Sequence, residues 1–329
     1  MTGDAPRRGE FALIAELLAP LSAGDSRSLG LTDDAAVLPQ RAGYDLAVTT
    51  DTMVETVHFL TQEPAGVVAR RLLRVNLSDL AAMGARPVAY FLDLTLSDRI
   101  GNAWLEDFAA GLAADQPLYS VALLGGDTTR TPGPLTLSVT AMGEVPSGAA
   151  IRRGGAAEGD VVMVSGTIGD AGLGLEALSR GATGVYADAL KARYQLPEPR
   201  LALGAALRGI ATAMADVSDG LVADLGHIAE ASGLDSVIEA KSVPLSAAAR
   251  ATVDSGEAAL ADLLTSGDDY ELVFTVPEAR LGEAQRVATE AGVPVAAIGR
   301  MTGQGRGGVS ATGPDGRPLA LARTGYRHF

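Results

Sequence analysis

The sequence predicts an α+β protein built of two α/β domains. Three observations carry that expectation. Strand-like and helix-like runs alternate in both halves of the chain. One Gly- and Ala-rich stretch, PSGAAIRRGGAAEGD from Pro146 onward, interrupts them and puts a boundary at 148–150, dividing the chain into 1–148 and 149–329. The 329 residues are 47% hydrophobic, enough for two cores of ordinary size, and 40 glycines supply tight turns and close backbone approaches.

In the first half, Phe11, Ile14, Leu17, Leu18 and Leu21 follow helical spacing, and Glu10 and Glu16 break the run. An amphipathic helix fits this better than a signal peptide. DLAVTTDTMV (45–54) begins as a strand. Residues 66–83 read as a helix ended by Gly84 and followed by Pro87. PVAYFLDLTL (87–96) reads as a strand and AWLEDFAAGLAADQ (103–116) as a helix. YSVALLGGD (119–127) and PLTLSVTAMGEV (134–145) read as strands. In the second half, DVVMVSG (160–166) is a strand that enters GTIGDAGLGLEAL, a glycine-rich turn opening a helix. TAMADVSDG (212–220) is a strand running into the helix LVADLGHIAEAS, closed by Gly233. A strand over 270–276 and a helix over 278–291 follow.

Charge narrows the function. The balance of 26 basic to 40 acidic residues gives a net charge of −14, unsuited to general binding of nucleic acid or an anionic membrane. An anionic substrate would need a recruited cation. Cysteine is absent, which removes thiolate nucleophiles, Fe–S clusters and Cys-type zinc sites together. Lys191 and Lys241, the only lysines, follow no glycine-rich turn, so there is no Walker A loop. The three histidines, His58, His227 and His328, are far apart in sequence, and no G-x-S-x-G elbow is present. No apolar run has the length of a membrane span, and the chain reads as cytoplasmic.

Apolar runs repeatedly end in a small residue plus aspartate: LTDDAAVLP, VTTDTMV, NLSDLAA, LGGDTTR, DVSDGL and TSGDDYEL. Any one of these aspartates reads as a cap or turn residue. Six such places with few lysines suggest oxygen ligands for Mg²⁺, because clustered carboxylates repel unless cations sit between them. Asp79 poses the sharpest case. At about 100° per residue it falls with Val68, Leu72, Val75 and Met83 inside a sector of roughly 80°. A carboxylate on that apolar stripe is ion-paired, with Arg70, Arg71, Arg74 or Arg86, ligated to a metal, or protonated. Gly125 and Gly126 before Asp127 would let a phosphate approach the backbone, and GTIGDAGLG either does likewise or is only a tight strand-to-helix turn.

Taken in order, GEFALIAELL, TDDAAVL, TTDTMVETVHF, NLSDLAAMGARP, LGGDTTR, DVSDGLVADLGHIA, SGDDYELVFT and GYRHF resemble the thiamine-monophosphate kinase family across nearly the whole chain. That family belongs to the superfamily of aminoimidazole ribonucleotide synthetase and selenophosphate synthetase. The resemblance implies ATP-dependent phosphorylation of thiamine monophosphate to thiamine diphosphate, with several Mg²⁺ ions. It implies a homodimer pairing through the N-terminal sheet, with a C-terminal domain closing over the site. By position, it assigns Asp34, Thr49, Thr50, Asp51, Asp79, Asp127, Asp216 and Asp219 to metal, with Asp51, Asp79, Asp127 and Asp219 in the catalytic set. It assigns Gly126, Asp127, Arg153 and Ser218 to ATP, and His58, Asp268 and Arg323 to the substrate. Three residues depart from the family pattern: Thr32 stands for a glycine, Asp268 for a glutamate and Arg323 for a tryptophan, with Tyr326 or Phe329 as another source of an aromatic face. A relative with a different acceptor, or a metal-dependent nucleotide binder without catalysis, are the competing readings.

Overall fold

In the computed structural model, residues 8–321 and 325–326 are described. Contacts divide the chain into two compact units. One consists of Met1–Leu80 with Arg86–Gly148, the other of Ala81–Ala85 with Ala149–Phe329. Ala81–Ala85 join the second unit because Ala81 and Ala82 lie in a core with Ile151, Met163 and Leu203, and Ile151 N–H donates to the Met83 carbonyl.

The first unit starts with a short irregular helical segment, α1 (Glu10–Leu13) continuing through a π turn and a 3₁₀ turn to Ser22. Its sheet is built from β1 (Tyr44–Val54), β2 (Arg86–Ser97), β3 (Leu123–Thr131) and β4 (Thr136–Pro146), in the order β1-β4-β2-β3. The β2–β3 pair is parallel and the others are antiparallel. A parallel pair needs a crossover, supplied here by α3 (Asn102–Tyr119). The helix α2 (Ala65–Ala82) lies over the inner face of the sheet, where Leu137, Val139, Leu92 and Leu94 are buried. The other face is open: Leu46 and Val48 are 54% and 57% exposed, and Thr50 and Thr52 are exposed beside them. Strand alternation separates the two faces residue by residue.

The second unit holds a six-stranded sheet in the order β10-β7-β9-β5-β8-β6. Its strands are β5 (Val161–Ser165), β6 (Ala213–Asp216), β7 (Leu234–Glu239), β8 (Leu272–Val276), β9 (Val295–Gln304) and β10 (Val309–Thr312). β5 and β8 are buried along their whole length, as strands covered on both faces must be. Helices α4 (Asp170–Ser179), α5 (Val185–Gln195), α6 (Leu201–Ala206), α7 (Leu221–Ser232), α8 (Ala247–Asp254), α9 (Leu260–Thr265) and α10 (Leu281–Glu290) complete it. Among the described residues no helix is long and apolar enough to cross a membrane.

Two local differences from expectation have clear causes. α3 runs through Pro117 to Tyr119 and closes on Ser120 at φ 54°, so the following strand starts at Leu123 rather than at Tyr119. Thr32 sits at φ −117°, a conformation open to any residue; Leu29, Gly30 and Leu31 carry the left-handed backbone of that turn instead.

Candidate active site

Thr49 and Asp51 are two residues apart on β1, so both face α2. Asn76 and Asp79, three apart on α2, face back. Thr49 Oγ1 donates to Asp79 Oδ2 at 2.5 Å, and Asp51 N–H donates to Asn76 Oδ1 at 3.0 Å. Asn76 is itself oriented by donating Nδ2 to the Leu72 carbonyl at 2.9 Å. Burial and then the neighbouring Asp79 carboxylate push Asp51 up to about 6. Among the described residues no donor reaches the Asp51 carboxylate. Asn76 escaped the sequence reading, although its place three residues before Asp79 on one helix face was the available signal.

The ion-pair reading of Asp79 loses three of its four arginines. Arg70 and Arg74 both donate to Asp115 on α3, at 2.8 and 2.6 Å, and Arg86 goes to Glu144 at 3.2 Å. Helix geometry explains this: nine residues at about 100° put Arg70 roughly opposite Asp79.

Thr50 points to the open face, donating to the Val139 carbonyl at 3.1 Å. Asp127 lies on that face as well, paired in register with Asp93, whose Oδ1 accepts its N–H at 2.9 Å. β1 and β3 are opposite edges of the sheet, so three strand spacings, about 14 Å, separate Asp51 from Asp127. Gly125 and Gly126 sit inside β3, where a Cβ would meet the Phe91 ring at 2.7 Å or run into the Leu92 carbonyl. The sheet itself therefore accounts for both glycines. Asp34 is exposed in the turn before β1, its N–H donating to Asp33 Oδ1 at 3.0 Å. His58 Nδ1 accepts the Val54 N–H at 2.9 Å, which leaves the ring proton to Nε2. Glu55, three residues before His58, is buried and paired with Arg99.

In the second unit, Asp216 ends β6 and is buried, and Ser218 and Asp219 follow it into the turn before α7. Asp224 Oδ2 accepts N–H bonds from Asp219 and Gly220 at 3.0 and 3.2 Å. Burial, then Asp219, push the Asp224 carboxyl up to about 7, against the two amides and the field of Arg153. Arg153 thus belongs to this neighbourhood. His227 offers a ring nitrogen within 4.8 Å of carboxylate oxygens of Asp219 and Asp224. The spacing of Asp224 and His227, i and i+3 on α7, was a legible signal.

Asp268 has φ 71°, and its N–H donates to the Ser218 carbonyl at 2.8 Å. Tyr326 N–H donates to the Asp219 carbonyl at 3.0 Å, tying Tyr326 to the same turn. Arg323 and Phe329 lie outside the described residues. GTIGDAGLG is the tight turn of its two readings. Gly166 and Gly169 have φ 57° and 88°, and Asp269 accepts the Gly169 and Ala171 amides at 2.6 and 3.1 Å, occupying donors that a phosphate would need.

Residues 32–145 match the AIR synthase related protein N-terminal domain, and residues 157–312 the corresponding C-terminal domain. A curated thiamine-monophosphate kinase of Caulobacter vibrioides is 48% identical over 323 residues, covering 97% of this chain and 90% of that protein. The crystal structure of the Stenotrophomonas maltophilia thiamine-monophosphate kinase is 41% identical with a TM-score of 0.81, covering 92% of this chain and 97% of that one. The structure of AaThiL complexed with AMPPCP and TMP is 29% identical with a TM-score of 0.78, covering 98% and 97%.

Proposed function

The chain belongs to the thiamine-monophosphate kinase family within the AIR synthase related proteins, and from that premise we propose that it transfers the γ-phosphoryl group of ATP to thiamine monophosphate, forming thiamine diphosphate and ADP. The relative solved with AMPPCP and TMP supports this pairing of substrates. The observation that carries the chemistry is the Thr49–Asp51–Asp79 group. It offers only oxygen donors, and its two carboxylates raise the cost of each other's charge. That donor set fits Mg²⁺.

Asp51, Asp79 and Thr49 would hold Mg²⁺ in the first unit, and Asp216 and Asp219 in the second. Asp34, Thr50 and Asp127 would hold further ions. Bound Mg²⁺ supplies the positive charge that lets two polyanions meet on a chain of net charge −14. The attacking atom is a phosphate oxygen, ionised near neutral pH because the second phosphate pKa is about 6, so no side chain has to remove a proton. What remains for the chain is alignment and stabilisation of charge. His58, Gly126 and Asp127 in the first unit would serve the acceptor phosphate (His58) and the nucleotide (Gly126, Asp127); in the second unit Asp268 would serve the acceptor, and Arg153 and Ser218 the nucleotide.

The open face of the first sheet supports pairing of two copies. Leu46 and Val48 on β1 are apolar side chains left to water, which a second sheet would cover. Asp51 and Asp127, on opposite faces and edges, hold separate ions or share one only across two copies. Val48→Asp distinguishes these. A monomer by light scattering that keeps its turnover means separate ions, and an inactive, folded monomer means a shared site.

The test of the function is a chromatographic assay with ATP, Mg²⁺ and thiamine monophosphate. Equal amounts of ADP and thiamine diphosphate, lost with EDTA, are expected. ADP without thiamine diphosphate would mean another acceptor. No product from folded protein would return the chain to a binding role.

A further inference from the structure

Alternate residues of the segment after α9 have opposite fates. Asp269 and Glu271 are buried, at 1% and 0% exposure. Asp268 and Tyr270 are half-buried and left-handed, at φ 71° and 50°. Left-handed backbone is unfavourable for a residue with a Cβ, and two such residues within three persist only where the surroundings over-determine them.

Several independent bonds do so. The two oxygens of Asp269 accept the Gly169 and Ala171 amides at the start of α4, at 2.6 and 3.1 Å. The Asp269 carbonyl accepts from Arg193 at 3.3 Å. On the other side, Asp268 N–H and Tyr270 N–H donate to the Ser218 and Val217 carbonyls, both at 2.8 Å. The segment is thus fastened inward through residue 269 and sideways to the turn that carries Ser218.

We propose that Asp269 is a positioning residue for acceptor recognition: its grip on the start of α4 holds Asp268 in the left-handed conformation that presents the Asp268 carboxylate to the substrate. The inference rests on the functional reading above, which gives Asp268 its acceptor role. It goes beyond that reading by naming a residue that touches no substrate. A plain helix cap would act on folding alone. A positioning residue acts through Asp268.

A double-mutant cycle separates the two. Asp269→Asn can accept one amide but points its NH₂ at the other. KM for thiamine monophosphate and for ATP, kcat and Tm are measured for the wild type, Asp269→Asn, Asp268→Ala and the double variant. The expected result is a rise in KM for thiamine monophosphate of about tenfold or more, the scale on which supporting residues act, with KM for ATP little changed. In the Asp268→Ala background, Asp269→Asn should add nothing to that KM. Additive effects, or a lower Tm with unchanged KM, would overturn the proposal. Where Asp269→Asn does not fold, Asp269→Glu takes its place: it keeps both acceptor oxygens but displaces them from the α4 amides by one methylene, and its KM effect should likewise vanish without Asp268. The functional reading fails separately, if the wild type makes no thiamine diphosphate. An Asp268→Ala variant with wild-type KM removes the role of Asp268, and the role of Asp269 with it.

Discussion

The two sides of α2 treat carboxylates in opposite ways. On one side Asp115, fully buried on α3, receives Arg70 and a two-bond grip from Arg74. On the other side Asp51 faces Asp79, and among the described residues no donor reaches the Asp51 carboxylate. Both arrangements put acid groups where water is scarce. In the first, the fold itself supplies the compensating charge. In the second, no donor among the described residues reaches Asp51, and the proposed cation would supply the charge there. The first arrangement stabilises the native chain without any ligand. In the second, burial and the neighbouring Asp79 make the Asp51 charge costly.

The largest expected effect breaks the second side. Asp51→Asn should lower kcat/KM by more than the ~10–100-fold that supporting residues around metal sites cost. The same substitution should raise the Tm of metal-free protein at pH 7.5. The sign follows from linkage. The folded carboxyl titrates at about 6 against 3.8 unfolded, so its contribution to stability is present below about pH 4 and is lost as pH rises through 6. Asp51→Asn should therefore become more stable relative to metal-free wild type as pH rises from 4 to 7, by about 2–3 kcal/mol. A variant with lower Tm at pH 7.5, or with turnover intact, would erase the contrast.

Breaking the first side should reverse the pattern. Asp115→Ala strands two arginines, one of them buried, and should cost about 3–5 kcal/mol in chemical denaturation. Turnover per folded molecule at low temperature should stay near wild type. A specific loss of turnover would mean that the arginine side also serves the reaction.

The smallest effect sharpens the contrast. Asn76→Ala removes the acceptor of the Asp51 N–H while leaving the Thr49, Asp51 and Asp79 side chains in place. An activity loss of about tenfold, with a raised Mg²⁺ requirement in the assay, is expected for a residue that aims a ligand. An unchanged Mg²⁺ requirement would make Asn76 only a link between α2 and β1.

Much of this contrast was readable in advance. Arg70 and Asp79 lie on opposite sides of a helical wheel, and Thr49 and Asp51 share a face of any strand that contains them. The long, strongly patterned elements were also legible: α2, β2, β4 and α7. Short ones were not. α6 and α9 have six residues each, too few to show a helical period, and the mixed burial of β9 follows no single alternation. The glycines of LGGD and GTIG were readable as turn or close-approach residues. The neighbour that approaches them was not, because Phe91 and Leu92 arrive from β2 and Leu263 and Glu271 from much later in the chain.

By itself the sequence determined which atoms the chain can offer: carboxylates, hydroxyls, few lysines and no thiols. Its ordered motifs also determined the family. Local periodicity then set which residues share a face, because that depends only on neighbours along the chain. The tertiary structure alone decided which face is covered, sending Asp51 inward and leaving Thr50 and Asp127 on the open side. It also decided which carboxylates are neutralised by arginine. The reason is distance in sequence: Asp115 lies 41 residues from Arg74, and Asp79 lies 30 from Thr49. Whether a buried charge is compensated depends on what folds against it, and no local pattern carries that information.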